Sequence, residues 1–160
     1  MNSRTILTVA VMLGAAACST APPAALTADD EAAIRAVVDQ WASNTAANRF
    51  MDNLDLYTED AVELLATAVE GKNAIRERWA GFADELAFTD SELNIREIIG
   101  MGDTAYAWVS YANRYETDGE PWVQSGSWMV LFRRGPDGSW RLHRNLWSGR
   151  TDPDSARSAS

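Results

Sequence analysis

The stretch TAYAWVSYANRYETDGEPWVQSGSWMVLFRR, residues 104–134, decides the fold class. Its two halves, 104–116 and 122–134, are rich in aromatic and β-branched residues, as strands are. Between them stands Asp118-Gly119, a pair that supplies the positive φ a tight hairpin requires. The same pattern extends both ways. A strand-like segment at 93–99 enters through Gly100-Met101-Gly102-Asp103, and another at 140–148 follows Asp137-Gly138. Four consecutive strands joined by short turns predict an antiparallel meander.

Upstream the period changes from two to that of a helix. Thr27 is placed to cap a helix whose first turn holds Asp29, Asp30 and Glu31, the sign that suits the positive end of the helix dipole. Ile34, Val37, Val38 and Trp41 then form one apolar stripe. Phe50, Leu54 and Tyr57 mark a second short helix, residues 61–67 a short strand, and Asn73 the cap of a third helix that buries Ile75, Trp79 and Phe82. Helices first and a meander second make an α+β domain, expected over residues 27–150, with three N-terminal helices packed on the sheet. Residues 151–160 are polar and expected to be a disordered tail.

The first 17 residues read as a secretory signal: one positive charge at Arg4, an apolar run at 6–13, then Gly14 and three alanines before Cys18. Ala15-Ala16-Ala17-Cys18 resembles a bacterial lipobox, with Ala15 where leucine is usual. That resemblance implies a lipidated Cys18, a polar and proline-containing tether over 18–26, and a cell-envelope lipoprotein, on the periplasm-facing side of an outer membrane. Acyl chains contribute ~0.8 kcal/mol per buried methylene, enough to hold such a protein on a membrane. Cys18 is the sole cysteine, so no intrachain disulfide can form and the domain must hold itself together by packing. The net charge of −9 argues against nucleic-acid partners and against electrostatic docking on anionic lipid.

Four segments then carry a family resemblance: Leu56-Tyr57-Thr58-Glu59-Asp60-Ala61-Val62, Gly71-Lys72-Asn73-Ala74-Ile75, Gly102-Asp103-Thr104-Ala105-Tyr106, and Asp137-Gly138-Ser139-Trp140-Arg141-Leu142. In this order and spacing they resemble the SnoaL-like branch of the nuclear-transport-factor-2-like superfamily, over roughly residues 28–149. The resemblance implies a strongly curved antiparallel sheet wrapped around the helices as a cone with an internal pocket, and a possible homodimer through the sheet. Asn48-Arg49 stands where the family has a Gly-Asp pair, and Asn tolerates the same left-handed turn.

By similarity to ketosteroid isomerases of that superfamily, the concave face would carry Tyr106, Trp108, Ser110 and Ala112, then Gln124, Trp128, Val130 and Phe132, then His143, Asn145 and Trp147. The opposite face would carry Tyr111, Asn113, Tyr115, Val123, Ser125, Ser127, Met129 and Leu131. The resemblance also puts Trp41 at the isomerases' oxyanion-stabilising tyrosine, Leu65 at their general base and Trp128 near their second acid. Without a positioned base a carbon acid is not deprotonated, so steroid isomerisation is not expected. Glu63 lies two residues before the base position. Burial would raise its pKa and make it an acid or base, but flanking Val62 and Leu64 leave its direction open. His143 is the only histidine and sets no metal-ligand spacing, so no metal and no cofactor are expected. No Gly-x-Ser-x-Gly is present, and Asp52, Asp55, Glu59 and Asp60 read with Glu63 as a solvated acidic face.

The expected ligand pocket is therefore Trp41, Tyr57, Trp79, Tyr106, Trp108, Gln124, Trp128, His143, Asn145 and Trp147, suited to a small apolar or aromatic molecule. Two other readings stand beside it. One is an isomerase, cyclase or hydrolase-like enzyme using Glu63 or His143; the other is a ligand-free dimerisation or interaction module.

Overall fold

The computed structural model describes residues 24–83 and 85–154; the signal segment, Cys18 and residues 155–160 lie outside the described residues. The chain forms α1 (Ala28–Ala46), a 3₁₀ helix (Phe50–Leu56), β1 (Tyr57–Leu64), β2 (Ala68–Glu70), α2 (Lys72–Ala80), β3 (Ala87–Met101), β4 (Thr104–Thr117), β5 (Glu120–Arg134) and β6 (Trp140–Pro153). This is the expected α+β layout with three helices.

Thr27 caps α1 through a reciprocal pair. Its hydroxyl accepts the Asp30 N–H at 3.1 Å, and the Asp30 carboxylate accepts the Thr27 N–H at 3.1 Å. The helix buries Ile34, Val38 and Trp41. It ends at Ala46, and just beyond it Asn48, with a φ of 55°, makes the left-handed turn anticipated there. A buried amide chain fastens the next segment: Asn44 donates to Asn53 at 3.1 Å, and Asn53 donates to Thr45 at 3.1 Å. The α2 helix is capped at Gly71, two residues before Asn73; the φ of 88° at Gly71 suits a residue without a side chain.

The six strands run in the order β2-β1-β6-β5-β4-β3. Both predicted Asp-Gly turns hold glycine at positive φ, with Asp118 at 54° and Gly119 at 81° in the two-residue β4–β5 hairpin and Gly138 at 79° before β6. The sheet is mixed and not wholly antiparallel, because β1 lies parallel to β6. Period-two alternation says which side chains share a face but not which way the neighbouring strand runs, so the sequence pattern carried no sign of this pairing.

Other boundaries also differ, and Tyr57 opens β1, which ends at Leu64, in place of the expected strand over 61–67. Strand β6 runs to Pro153, and Asp154 is buried with its N–H on Pro121 O at 2.9 Å, so 151–154 belong to the sheet and not to a tail. At the other end Ala25 bridges Met101, and Gly102 donates to Ala24 O at 2.8 Å, which takes residues 24–26 out of the tether. Strand β3 starts at Ala87, earlier than its apolar residues suggested.

The core sits between the helices and the inner sheet face. Trp41, Trp79, Trp128, Tyr57 and Phe132 fill it almost without exposure. Trp128 and Trp147 stack at 4.6 Å and 6° across the β5–β6 pair, and Trp41 reaches both rings.

Candidate functional site

A cleft of ≈ 300 Å³ opens between α2 and the inner sheet face. The helical half supplies Trp41, Phe50, Arg78, Trp79 and Phe82; the sheet and its connections supply Glu63, Leu65, Leu86, Phe88, Asn113, Gln124 and Trp147. Six of these are aromatic. Phe50 stacks on Phe88 at 5.5 Å and packs on Trp79 at 4.6 Å, so the rings form one continuous wall.

Glu63 faces inward and is 3 % exposed. Its two oxygens receive the Trp79 indole N–H at 3.2 and 3.3 Å, and Arg78 stands 3.6 Å away. Burial raises its pKa above the ordinary carboxylate value, opposed by the Trp79 hydrogen bond, by Arg78 and by Asn145. Asn145 lies opposite Glu63 in the parallel register and donates to the Tyr57 hydroxyl. Tyr57 is held well above its usual pKa by burial first and by the Glu63 charge second. A buried row of Tyr57, Asn145 and Glu63 thus ends at the cleft. A desolvated carboxyl among aromatic rings can bind a donor or exchange a proton.

Of the residues expected in the pocket, Trp41, Trp79, Gln124 and Trp147 line the cleft, as does the separate candidate Glu63. Tyr57, Trp128 and Asn145 lie buried behind it. Tyr106 and Trp108 do not belong to it. On β4 the buried residues are Ala105, Ala107, Val109, Tyr111 and Asn113, so Tyr106 and Trp108 face outward with Ser110 and Ala112, and Trp108 is 43 % exposed. The physical reason is volume: in register Ala105 meets Phe132, Ala107 meets Val130 and Val109 meets Trp128, and the large rings of β5 and α1 leave room for small partners. Tyr111 and Asn113, expected outside, are inside. Tyr111 lies level with Gly126 and Gly149, where a side chain would collide with Ser148 or with Tyr111 itself, and its ring meets Trp147 edge-on at 4.9 Å.

His143 is also outside the cleft. The β5–β6 register slips between Leu131 and Phe132, so Leu131 meets Arg144 while Phe132 meets Leu142, and His143 is the extra residue. It lies 3.1 Å from Thr58 Oγ1, 3.3 Å from Arg133 and 3.6 Å from Asp60. Its pKa is lowered by burial and by Arg144 and Arg133.

Arg78, Phe88 and Leu86 line the cleft although no sequence pattern marked them for it, and Phe50, Phe82 and Leu65, marked by helical periodicity or by the family resemblance, line it as well. Arg78 carried a usable signal, because it adjoins Trp79 on a helix whose buried face was already marked. A second crevice, ≈ 610 Å³, is bordered by Asp55, Glu59, Asp60, Lys72, Arg133 and Arg141. Its charges are cross-paired: Lys72 with Glu59 at 3.3 Å, Arg133 with Asp60, and Arg141 with Asp137 at 2.7 Å. Among the described residues no group of three or more His, Cys, Asp or Glu is arranged to hold a metal ion.

Solved structures share this architecture. A conserved protein from Planctomyces limnophilus DSM 3776 is similar at 22% identity and TM-score 0.69, over 79% of this chain and 100% of its own. A ketosteroid isomerase-like protein from Erwinia carotovora atroseptica SCRI1043 is similar at 19% identity and TM-score 0.67, over 81% and 99%. An NTF2-like protein of unknown function from Pseudomonas putida KT2440 is similar at 21% identity and TM-score 0.59, over 77% and 88%. The fold is thus NTF2-like. Residues 24–143 match the SnoaL-like domain, and the chain belongs to that family. Among curated proteins none is significantly similar to it.

Proposed function

We propose that the domain binds a small apolar or aromatic molecule in the cleft between α2 and the sheet. The observation that carries this reading is the cleft itself: ≈ 300 Å³ of open volume walled by Trp41, Phe50, Trp79, Phe82, Phe88 and Trp147, with four polar side chains at its edge. Open volume also favours this over a ligand-free module. Calorimetric titration with naphthalene-sized aromatics tests it. Binding tighter than about 1 mM is expected, and Phe88→Asp, which charges a half-buried wall, should weaken it about tenfold or more. If no such molecule binds, the reading falls.

A second reading, a small-molecule isomerase, cyclase or hydrolase-like enzyme, gains support from Glu63 alone. It is buried, borders the cleft and has a raised pKa, whereas His143 lies elsewhere. Glu63→Gln would then abolish turnover while leaving ligand binding; unchanged turnover would remove Glu63 from that role.

The location we propose is the cell envelope, as an exported lipoprotein anchored through Cys18. Its support is the signal-like segment and the lipobox-like residues before Cys18. Among the described residues no helix is long and apolar enough to cross a membrane. Cys18→Ala should release the protein from membranes. We also propose a homodimer through the outer sheet face. Trp108, Met129, Leu146 and Leu64 follow one another in register across four strands and are each 40–43 % exposed. A two-fold axis along β5 would set Trp108 of one copy over Leu146 of the other. Trp108→Asp should yield a monomer by sedimentation.

A further inference from the structure

We propose that the molecule taken up by this cleft is a planar aromatic acid, its anionic group paired with Arg78 and its ring against the wall of Trp79, Phe50 and Phe88. The inference rests on the cleft being a ligand site and names the class of ligand.

The two charged groups at the cleft are unequally provided for. The Glu63 carboxylate already receives the Trp79 indole N–H on both oxygens, with Arg78 beside it. Arg78 has no such complement. Among the described residues it is the only Lys or Arg on the cleft lining, its side chain is 34% exposed, and its nearest carboxylate oxygen is 3.6 Å away. None of its N–H groups makes a hydrogen bond among the described residues. A guanidinium offers five donors in a planar fork that matches a carboxylate, so what the cleft lacks is an acceptor with negative charge. A cationic ligand would instead meet Arg78 as a like charge. The aromatic wall sets the rest of the molecule, because flat rings stack or meet edge-on with Phe50, Phe88 and Trp79. At the sheet side, Asn113 has its oxygen taken by the Ser91 hydroxyl at 2.7 Å, which leaves its amide nitrogen as what it can offer.

A proton accompanies this binding. An anion on Arg78 draws the guanidinium off Glu63 and adds a like charge nearby, and both effects favour the protonated acid. The ionisable groups facing Glu63 are Arg78 from α2 and Tyr57 from its own strand, and burial has already raised its pKa. Tyr57 stays neutral throughout. Glu63 therefore takes up a proton as the anion binds, and affinity falls as pH rises through the pKa of Glu63 in the complex.

Calorimetry with three probes of one shape tests this: naphthoate, neutral naphthamide and cationic naphthylmethylammonium. Naphthoate should bind most tightly, with proton uptake visible as a buffer-dependent heat. Arg78→Gln should lower naphthoate affinity about tenfold or more while naphthamide changes by less than about twofold, the scale of one lost charge-assisted pair. Arg78→Lys should recover part of the loss, which a folding defect would not allow. Glu63→Gln should abolish the proton uptake and the pH dependence. If naphthamide or the ammonium binds as tightly as naphthoate, the acid is wrong while the cleft reading stands. If none of the three binds, the cleft reading falls with it.

Discussion

Glu63 and Asp60 stand on one strand, three residues apart, each beside an arginine, and their surroundings push them in opposite directions. Glu63 has a 4%-exposed side chain against Trp79, with Arg78 at 3.6 Å, and burial raises its pKa. Asp60 has a 61%-exposed side chain bonded by Arg133, and that hydrogen bond holds it down to about 2. An arginine neighbour alone therefore does not fix the behaviour of a carboxylate. At the buried Glu63 desolvation outweighs a cation beyond hydrogen-bond reach; at the exposed Asp60 a direct bond outweighs a small desolvation. The cleft carboxyl therefore holds its proton more tightly than an ordinary carboxylate, whereas the crevice carboxylate Asp60 holds its charge.

The largest expected effect breaks the cleft side. Trp79→Ala should cost about 3–5 kcal/mol in denaturant unfolding, because a buried indole leaves a cavity. It also strips Glu63 of its hydrogen-bond donor. Trp79→Phe keeps most of the volume and removes only the N–H, so it should cost about 1–3 kcal/mol and raise the Glu63 pKa further. Equal stability of wild type and Trp79→Phe at neutral pH would mean that the indole does not support a charged Glu63.

An intermediate effect sharpens the comparison through pH. The folded-state pKa of Glu63 lies above its unfolded value, so the native chain holds that proton more tightly. Its contribution is fully present below about pH 4.3 and is lost as pH rises through the folded pKa. Glu63→Gln should abolish this decline, giving a flatter stability curve above about pH 4.3. A curve that falls just as steeply in the variant would place the titrating group elsewhere.

How much of this was legible in the sequence depends on which physical variable carried it. Local chemistry was readable: the Thr27 cap, the Ile34–Val38–Trp41 stripe, the left-handed Asn48 and the Asp118-Gly119 hairpin all express preferences of a few adjacent residues. Of the site, Trp41, Trp79, Gln124 and Trp147 were readable because each sits on a helix face, or on a stretch of strand beyond any register slip, whose inward side was correctly drawn. The errors arose where a distant partner decides. Alternation on β4 offers Tyr106 and Trp108 or Ala105 and Ala107 as the inner set, and the volume of Trp128 and Phe132 across the register chooses the alanines. On β6 an extra residue at His143 reverses the phase between Leu142 and Asn145, and no local signal marks such a slip. Glu63 was undecidable for the same reason, since Trp79 and Arg78, which accommodate its carboxylate, come from another element. The parallel β1–β6 pairing is the extreme case.

The smallest expected effect lies on the crevice side. Asp60 is paired with Arg133 but open to water, and an exposed ion pair contributes at most about 1 kcal/mol because water and salt screen it. Asp60→Asn should therefore cost under about 1 kcal/mol at neutral pH. The sign with pH is opposite to that of Glu63. A lowered folded pKa stabilises the native chain above the unfolded value near 3.9, and the contribution is lost as pH falls toward about 2. Salt separates the two sites further. Raising ionic strength to about 1 M shortens the screening length to about 3 Å, which should erase most of the Asp60→Asn difference. The same salt should leave the Glu63→Gln difference largely intact, because a buried carboxyl is screened much less. If the two variants responded alike to salt, Glu63 would have to be as exposed as Asp60, and burial could no longer account for its raised pKa.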